Sequence, residues 1–304
     1  MEKHGGREAE GVGQPEDMGQ PESDELGAHV SSSGGVQRAP ARAEEIESAV
    51  LQLFTKQPAR WAEPEISVEG RDAFRAERRR ARIATAVAHD SYLINLSSPD
   101  PALWQRSLAC FTGEIRRAAA LGLDFVVTHP GNATDGDVTS GIARNAEAVE
   151  RALAEVKEGP AVLLELTAGS GTSVGGTFEN LAAIVGRLSP GPLSRVGFCF
   201  DTCHAYSAGY DLVQDYSGVF QAFDDVLGLD RLRLFHMNDS KGELGSKRDR
   251  HEHIGRGTLG AAPFRRLMED ERFGGVPKIL ETPKDDDPVA ADLSNLHLLR
   301  SFRA

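Results

Sequence analysis

Eight short apolar runs of strand length recur along the chain, at 26–30, 49–54, 83–88, 124–128, 161–165, 196–200, 231–236 and 278–281. Between several of them lie longer stretches, such as 103–121, 141–157 and 178–188, in which apolar residues return every three or four positions. That spacing belongs to amphipathic helices, whereas a short continuous apolar run bounded by turn residues suits a buried strand. Strands joined through helices run parallel, because the connection must carry the chain back to the same end of the sheet. Eight repeats of this unit predict an α/β chain closed into a (β/α)8 barrel, which needs around 250 residues. An open doubly wound sheet is the alternative, and the chemistry at the strand ends weighs against it.

From the third run onward, each run leads into a residue able to bind a metal ion. His89 follows the third, His129 the fourth and Asp201 the sixth, while Glu165, His236 and Glu281 end the fifth, seventh and eighth. In a parallel barrel the carboxyl ends of all strands open on one face, so these six side chains converge although they are far apart in sequence. Three local motifs extend the set. Asp201 and His204 lie three apart just past a strand, Asp249 and His251 are an i, i+2 pair that points one way if extended, and 236–241 is a polar patch led by His236. Imidazole and carboxylate are the donors expected for zinc or manganese, and a cluster so rich in carboxylates can hold more than one ion. The nine candidate ligands are His89, His129, Glu165, Asp201, His204, His236, Asp249, His251 and Glu281. His29 and His253 lie near the same face without a matching partner and are expected only to support the ligands.

Composition sets the class of partner. The chain carries a formal charge of −12, which argues against a protein that grips nucleic acid through a uniformly basic surface. Much of this charge sits at one end: the first 25 residues hold eight acidic and two basic side chains in a patternless mix of Gly, Pro and Gln. Residues 1–25 are expected to be a disordered tail, and residues 26–304 a single catalytic domain. There is no apolar run of membrane-spanning length and no basic-then-apolar leader, so a cytoplasmic protein without a membrane partner is expected. Three cysteines, Cys110, Cys199 and Cys203, are too few for a disulfide framework.

Taken together, the blocks at 27–31 (Gly-Ala-His-Val-Ser), 89–96, 129–131 (His-Pro-Gly), 165–169, 201–205 (Asp-Thr-Cys-His-Ala), 236–241, 249–251 (Asp-Arg-His) and 279–282 resemble the signature blocks of the endonuclease IV family of apurinic/apyrimidinic endonucleases. They occur in the family's order from about residue 26 to the end, and the Asp-Thr-Cys-His and Asp-Arg-His blocks are the specific ones. The resemblance implies a TIM barrel with a trinuclear zinc centre, acting as a monomer in base-excision repair. Such an enzyme cuts duplex DNA on the 5′ side of an abasic site and leaves a 3′-hydroxyl and a 5′-deoxyribose phosphate. His89, His129 and Glu165 would hold the first ion. Glu165 would bridge to a second ion shared with Asp201, His236 and Glu281, and His204, Asp249 and His251 would hold the third. Manganese or iron could replace zinc in some sites. Glu165 is the expected catalytic residue, orienting the attacking water. For DNA, the resemblance implies contacts from Lys56 and Arg60 after the second strand, a stacking or wedging role for Tyr92 and Leu93, and phosphate contacts from Lys241, Lys247, Arg248 and Arg250.

The chain departs from the family pattern in places. Gln57 and Ala59 stand where the family has Asn and Arg, with Arg60 displaced by one, and Leu166 replaces an Asn beside the expected bridging glutamate. The rival reading is a metal-dependent sugar isomerase or epimerase on a related barrel, which has no use for the Asp249-Arg-His251 block. Gly169 to Gly176 fits neither a dinucleotide nor a P-loop motif and reads as a flexible barrel loop. The basic run Arg75, Arg78, Arg79, Arg80 and Arg82 falls on a helix, hence on the outside of a barrel, and reads as a solvated face.

Overall fold

The computed structural model describes Met1 and residues 25–303. The expected tail, 1–25, lies almost wholly outside the described residues. Eight parallel strands close into a barrel: β1 (Leu26–His29), β2 (Val50–Phe54), β3 (Thr85–His89), β4 (Phe125–Thr128), β5 (Ala161–Glu165), β6 (Val196–Asp201), β7 (Leu232–His236) and β8 (Lys278–Leu280). Each strand pairs with its neighbours in sequence, and β8 returns to β1 in the register Leu26 to Lys278 and Ala28 to Leu280. Closure leaves no free edge, which satisfies the backbone of every strand and excludes the open-sheet alternative.

Alternation along the strands divides the apolar residues into two layers. Val50, Val87, Phe125, Val127, Leu163, Cys199, Leu234 and Ile279 face inward and pack as a separate plug inside the barrel. The neighbouring positions face the helices, where Phe178, Phe200, Phe220, Phe223, Phe235 and Phe273 form a run of ring contacts between barrel and outer layer. The helices start where side chains cap their first amides: Asp100 for Pro101–Leu121, Asp137 for Val138–Glu155, Thr177 for Phe178–Val185 and Asp287 for Pro288–Arg300.

The basic helix, Val68–Arg80, lies on the outside as expected. Arg78 donates to the carbonyls of Ile83, Ala84 and Gly122 and pairs with Asp124, so it clamps the helix to the amino ends of β3 and β4, the end of the barrel away from the candidate ligands. The glycine-rich stretch is not free-standing. Ser173 bridges to Asn132, Val174 is buried and its amide donates to Gly131, so the loop is stitched to the turn that follows β4. Gly131 makes that turn at φ 98°, a conformation that side chains disfavour. Among the described residues no helix is long and apolar enough to cross a membrane.

Leu163 belongs to the inner plug, two residues before Glu165 on β5, and is fully buried. Leu163→Ala is expected to cost about 2–5 kcal/mol of unfolding free energy, as measured by urea denaturation of the metal-free protein. A loss below about 1 kcal/mol would mean that the plug can collapse around the void.

Candidate metal centre

Apart from Phe125, which leads to Val127, each inward-facing residue of the plug is followed two positions later by a polar one. Val87 leads to His89, Val127 to His129, Leu163 to Glu165, Cys199 to Asp201, Leu234 to His236 and Ile279 to Glu281. With a side-chain period of two, these residues form the next inward layer, at the carboxyl end of the barrel. The remaining candidates come from loops. His204 lies in the short helix Thr202–Ala208, and Asp249 and His251 lie on the long excursion between β7 and β8. That excursion is fastened by a two-stranded antiparallel ladder, Asp239 with Glu252 and Ser240 with His251. It is also tied to the short helix, where Lys247 donates its amide to Ser207 and Ser207 donates its hydroxyl to Arg248.

All nine candidates come together in three groups whose donor atoms lie within 4.8 Å of one another: His89, His129 and Glu165; Glu165, Asp201, His236 and Glu281; and His204, Asp249 and His251. Glu165 is completely buried at their junction. Its Oε2 is 3.4 Å from His89 Nε2 and 3.2 Å from His129 Nε2, and its Oε1 is 3.1 Å from both His204 Nδ1 and His236 Nδ1. In the third group Asp249 spans the two imidazoles, with Oδ2 3.2 Å from His204 Nε2 and Oδ1 3.2 Å from His251 Nε2. Asp201 divides its oxygens: Oδ1 accepts the amide of His204 at 2.8 Å and caps the short helix, while Oδ2 faces the second group.

The arrangement suits divalent cations. Glu165 Oε2, His204 Nε2 and His251 Nε2 are buried and, although each lies 3.2–3.4 Å from an oppositely charged group, none makes a well-directed hydrogen bond, a costly state that a bound cation would relieve. Electrostatics point the same way. Burial alone would strip His89 of its proton, but Glu165 and the charge of Glu281 overcome it and push the imidazole up to about 10. Burial likewise opposes charging His251, and Asp201 with Asp249 lifts it to about 9. Burial would neutralise Glu165, yet His236 and His129 hold it well below the usual carboxylate range. Acids and imidazoles that stabilise each other's charge in this way form a field that a cation can take over.

Cys199 and Cys203 also fall within reach, beside Glu165 and His236 and beside Asp201 and His251. Burial pushes both thiols up, Cys203 to about 12, and a metal ligand must be a thiolate. The carboxylate and imidazole groups are therefore the better donors.

Three supporting residues escaped the sequence reading. Asn238 donates to Asp201 Oδ2 at 2.6 Å and accepts the Glu281 amide at 2.8 Å, tying two candidate ligands together. Asp90, beside His89, is buried and receives the Thr128 hydroxyl at 2.6 Å; burial, against the pull of His89, pushes it up to about 8. Gln52 continues the inward layer on β2 and touches His236 and Glu281. Asp90 and Asn238 had visible signals, the one an acid directly after a candidate ligand and the other a member of the polar patch 236–241. At Leu166 the main chain does the positioning, since its carbonyl lies 3.1 Å from His204 Nδ1, so loss of a polar side chain there leaves His204 held.

The expected DNA residues are distributed unevenly. A cleft of about 490 Å³ opens over the centre, lined among others by His29, Phe54, Tyr92, Arg250 and Lys284. Tyr92 is 68% exposed at its wall, edge-on to Phe54, and Leu93 beside it is half-buried. Lys241, Lys247, Arg248 and Arg250 are exposed along the loop that carries Asp249, with Lys241 3.7 Å from Glu252. Arg60 is exposed. Lys56 is turned inward: its side chain is 2% exposed, its ammonium is 3.1 Å from Glu63 and donates to the carbonyl of Arg60. In this conformation Lys56 shapes the loop after β2 and does not present its charge to a ligand.

Comparison with known proteins bears on the same geometry. A family model described as xylose isomerase-like TIM barrel matches residues 40–302. A probable endonuclease 4 of Geobacter sulfurreducens is 49% identical over 91% of this chain and 94% of its own. The chain belongs to the endonuclease 4 family. The crystal structure of endonuclease IV from Thermus thermophilus, a further relative, superposes with a TM-score of 0.82 at 36% identity, covering 91% of this chain and 98% of that one. A D-tagatose 3-epimerase-like protein shares the fold alone, with a TM-score of 0.69 at 18% identity over 91% of this chain and 97% of its own. The family relationship thus favours the nuclease over the isomerase that the sequence left as its rival.

His89 near 10 and His251 near 9 hold protons at neutral pH in the metal-free protein, and a cation must displace them. Because the protonated forms persist up to those values, apparent metal affinity is expected to rise as pH increases from about 6 toward 9. Zinc added to metal-free protein in weakly buffered solution at about pH 7.5 should lower the pH. An unchanged pH, together with affinity independent of pH, would refute this.

Proposed function

We propose that this chain is a metal-dependent endonuclease, loaded with three zinc ions, that hydrolyses the phosphodiester on the 5′ side of an abasic site in duplex DNA and leaves a 3′-hydroxyl and a 5′-deoxyribose phosphate. The observation that carries this reading is the third group, His204, Asp249 and His251, set beside the two groups that share Glu165. Polarising a sugar enediolate takes one or two ions, whereas cutting a phosphodiester calls for an activated water, neutralised phosphate oxygens and a stabilised leaving oxygen. Divalent ions can supply these, lowering the pKa of water to about 7 and clamping both the attacking and the leaving oxygens. The relatives named endonuclease 4 and endonuclease IV support the same reading.

The chain's own residues supply the remaining work. Glu165 is approached by four imidazoles and cannot swing away, so it suits a carboxylate that orients water without moving. Exposed Tyr92, with Leu93 beside it, suits stacking or wedging where a missing base leaves a gap in the duplex. Arg250 on the cleft wall, with Lys241, Lys247 and Arg248 along the same loop, suits phosphate oxygens. The negative charge of the chain is no obstacle to this partner. Glu165, Asp201, Asp249 and Glu281 turn into a cationic surface once ions are bound, and eight of the 46 acidic residues lie in the first 25.

The direct test is a duplex carrying a single abasic analogue, incubated with zinc-loaded protein. Incision on its 5′ side is expected, and an intact strand would defeat the reading. Glu281→Gln and His129→Ala should each lower the incision rate by about 10- to 100-fold or more while the barrel stays folded by circular dichroism; full activity in either would contradict the shared-ligand arrangement. Removing the ions with a chelator should also weaken binding to the abasic duplex. Equal affinity before and after chelation, measured by fluorescence anisotropy, would show that the cationic surface does not come from the ions.

A further inference from the structure

The polar layer above the barrel plug has eight inward positions, one per strand, and candidate ligands fill six. The other two, His29 on β1 and Gln52 on β2, lie side by side in register. Gln52 is completely buried in a strand whose neighbours, Leu51 and Leu53, are apolar and equally buried. Its amide is fully used. Oε1 is 2.9 Å from His236 Nε2, and Nε2 is 2.6 Å from Glu281 Oε1 and 3.0 Å from His29 Nδ1.

These contacts fix where protons sit. An amide has one accepting oxygen and two N–H donors, and an ionised carboxylate can only accept. Glu281 therefore forces the NH2 group toward itself, which leaves the amide oxygen facing His236. An oxygen in that place requires His236 to carry its proton on Nε2. The other nitrogen, Nδ1, which points at Glu165 Oε1, 3.1 Å away, and Glu281 Oε2, 3.3 Å away, is then the one that gives up its proton to offer a lone pair when a cation binds. Glu281 Oε1 is occupied by the amide, so Oε2 is the oxygen left for an ion. His29 Nδ1 accepts the second amide hydrogen and completes the set, and a flip of the amide would set its oxygen against Glu281 Oε1.

We propose that Gln52 is a positioning residue of the second ion group. Its amide sets the tautomer of His236 and the rotation of Glu281, so that Nδ1 of one and Oε2 of the other face the same cation. A hydrogen bond to the far nitrogen of a metal-bound histidine is a general way to fix ring orientation and raise ligand basicity. Here one side chain does this for two ligands, one ending β7 and one directly after β8. The inference rests on the reading of the site as a divalent-metal centre.

The test reads metal binding and proton position, not turnover. Gln52→Met keeps the volume and removes all three hydrogen bonds. It is expected to weaken one of the bound zinc ions by about 10- to 100-fold in chelator competition and to leave the others unchanged. In zinc-loaded wild-type protein with 15N-labelled histidine, long-range 1H–15N correlations should place the His236 proton on Nε2 and the metal on Nδ1. That measurement decides the matter even if Gln52→Met fails to fold. A His236 proton on Nδ1, or folded Gln52→Met with every zinc affinity within about twofold of wild type, would overturn the inference alone. Wild-type protein that takes up no zinc would overturn the metal-centre reading and the inference with it.

Discussion

Four imidazoles converge on one carboxylate that has no contact with solvent. Every other feature of the centre follows from the need to keep Glu165 charged in that position. A lone buried carboxylate would take up a proton, because the protein interior solvates charge poorly. His89, His129, His204 and His236 prevent this, two on each oxygen. Those imidazoles need anionic partners in turn, and Asp249, Asp201 and Glu281 supply them from the next ring outward. Removing one partner from such a network leaves a neighbour charged and unpaired, so the cost spreads beyond the residue removed.

Support for this network comes from the backbone geometry of the barrel. Because strand side chains alternate, the residue two past an inward-facing Val, Leu or Ile must also face inward, and at the carboxyl end there is no further layer above it. The plug of Val87, Val127, Leu163, Leu234 and Ile279 sets the height at which the polar layer begins. The ligand positions therefore need no special local structure on β3, β4, β5, β7 or β8. The third group is different. It relies on the short helix after β6 and on the excursion between β7 and β8, which hold each other through Ser207, Lys247 and Arg248.

This division explains what could be read in advance. The eight strands and the residues ending six of them were legible, since apolar period and strand-end chemistry are local properties of the chain. The i, i+2 pair Asp249 and His251 was legible as a motif, although its place beside His204 depends on contacts about 45 residues apart. Gln52 was not legible, because an amide inside an apolar strand carries no ligand chemistry of its own; its meaning lies in His236 and Glu281, more than 180 residues away. Lys56, a DNA contact by resemblance, is likewise held by a partner that the sequence does not reveal. Its partner Glu63 is seven residues on, across an irregular loop whose path no periodicity reveals.

The order of the candidate ligands along the chain has a further consequence, for biosynthesis. The first group is complete once the chain has reached Glu165, the third only at His251, and the second only at Glu281 just past the last strand. A chain emerging from the ribosome can thus offer the His89, His129 and Glu165 set while the barrel is still an open, unfinished sheet. The shared carboxylate would meet its second group only when β8 closes against β1. Barrel closure and completion of the centre are then a single late event. A nascent or truncated chain that stops short of Glu281 would carry the first and third groups at most, without the second group that joins Asp201, His236 and Glu281 to the shared Glu165.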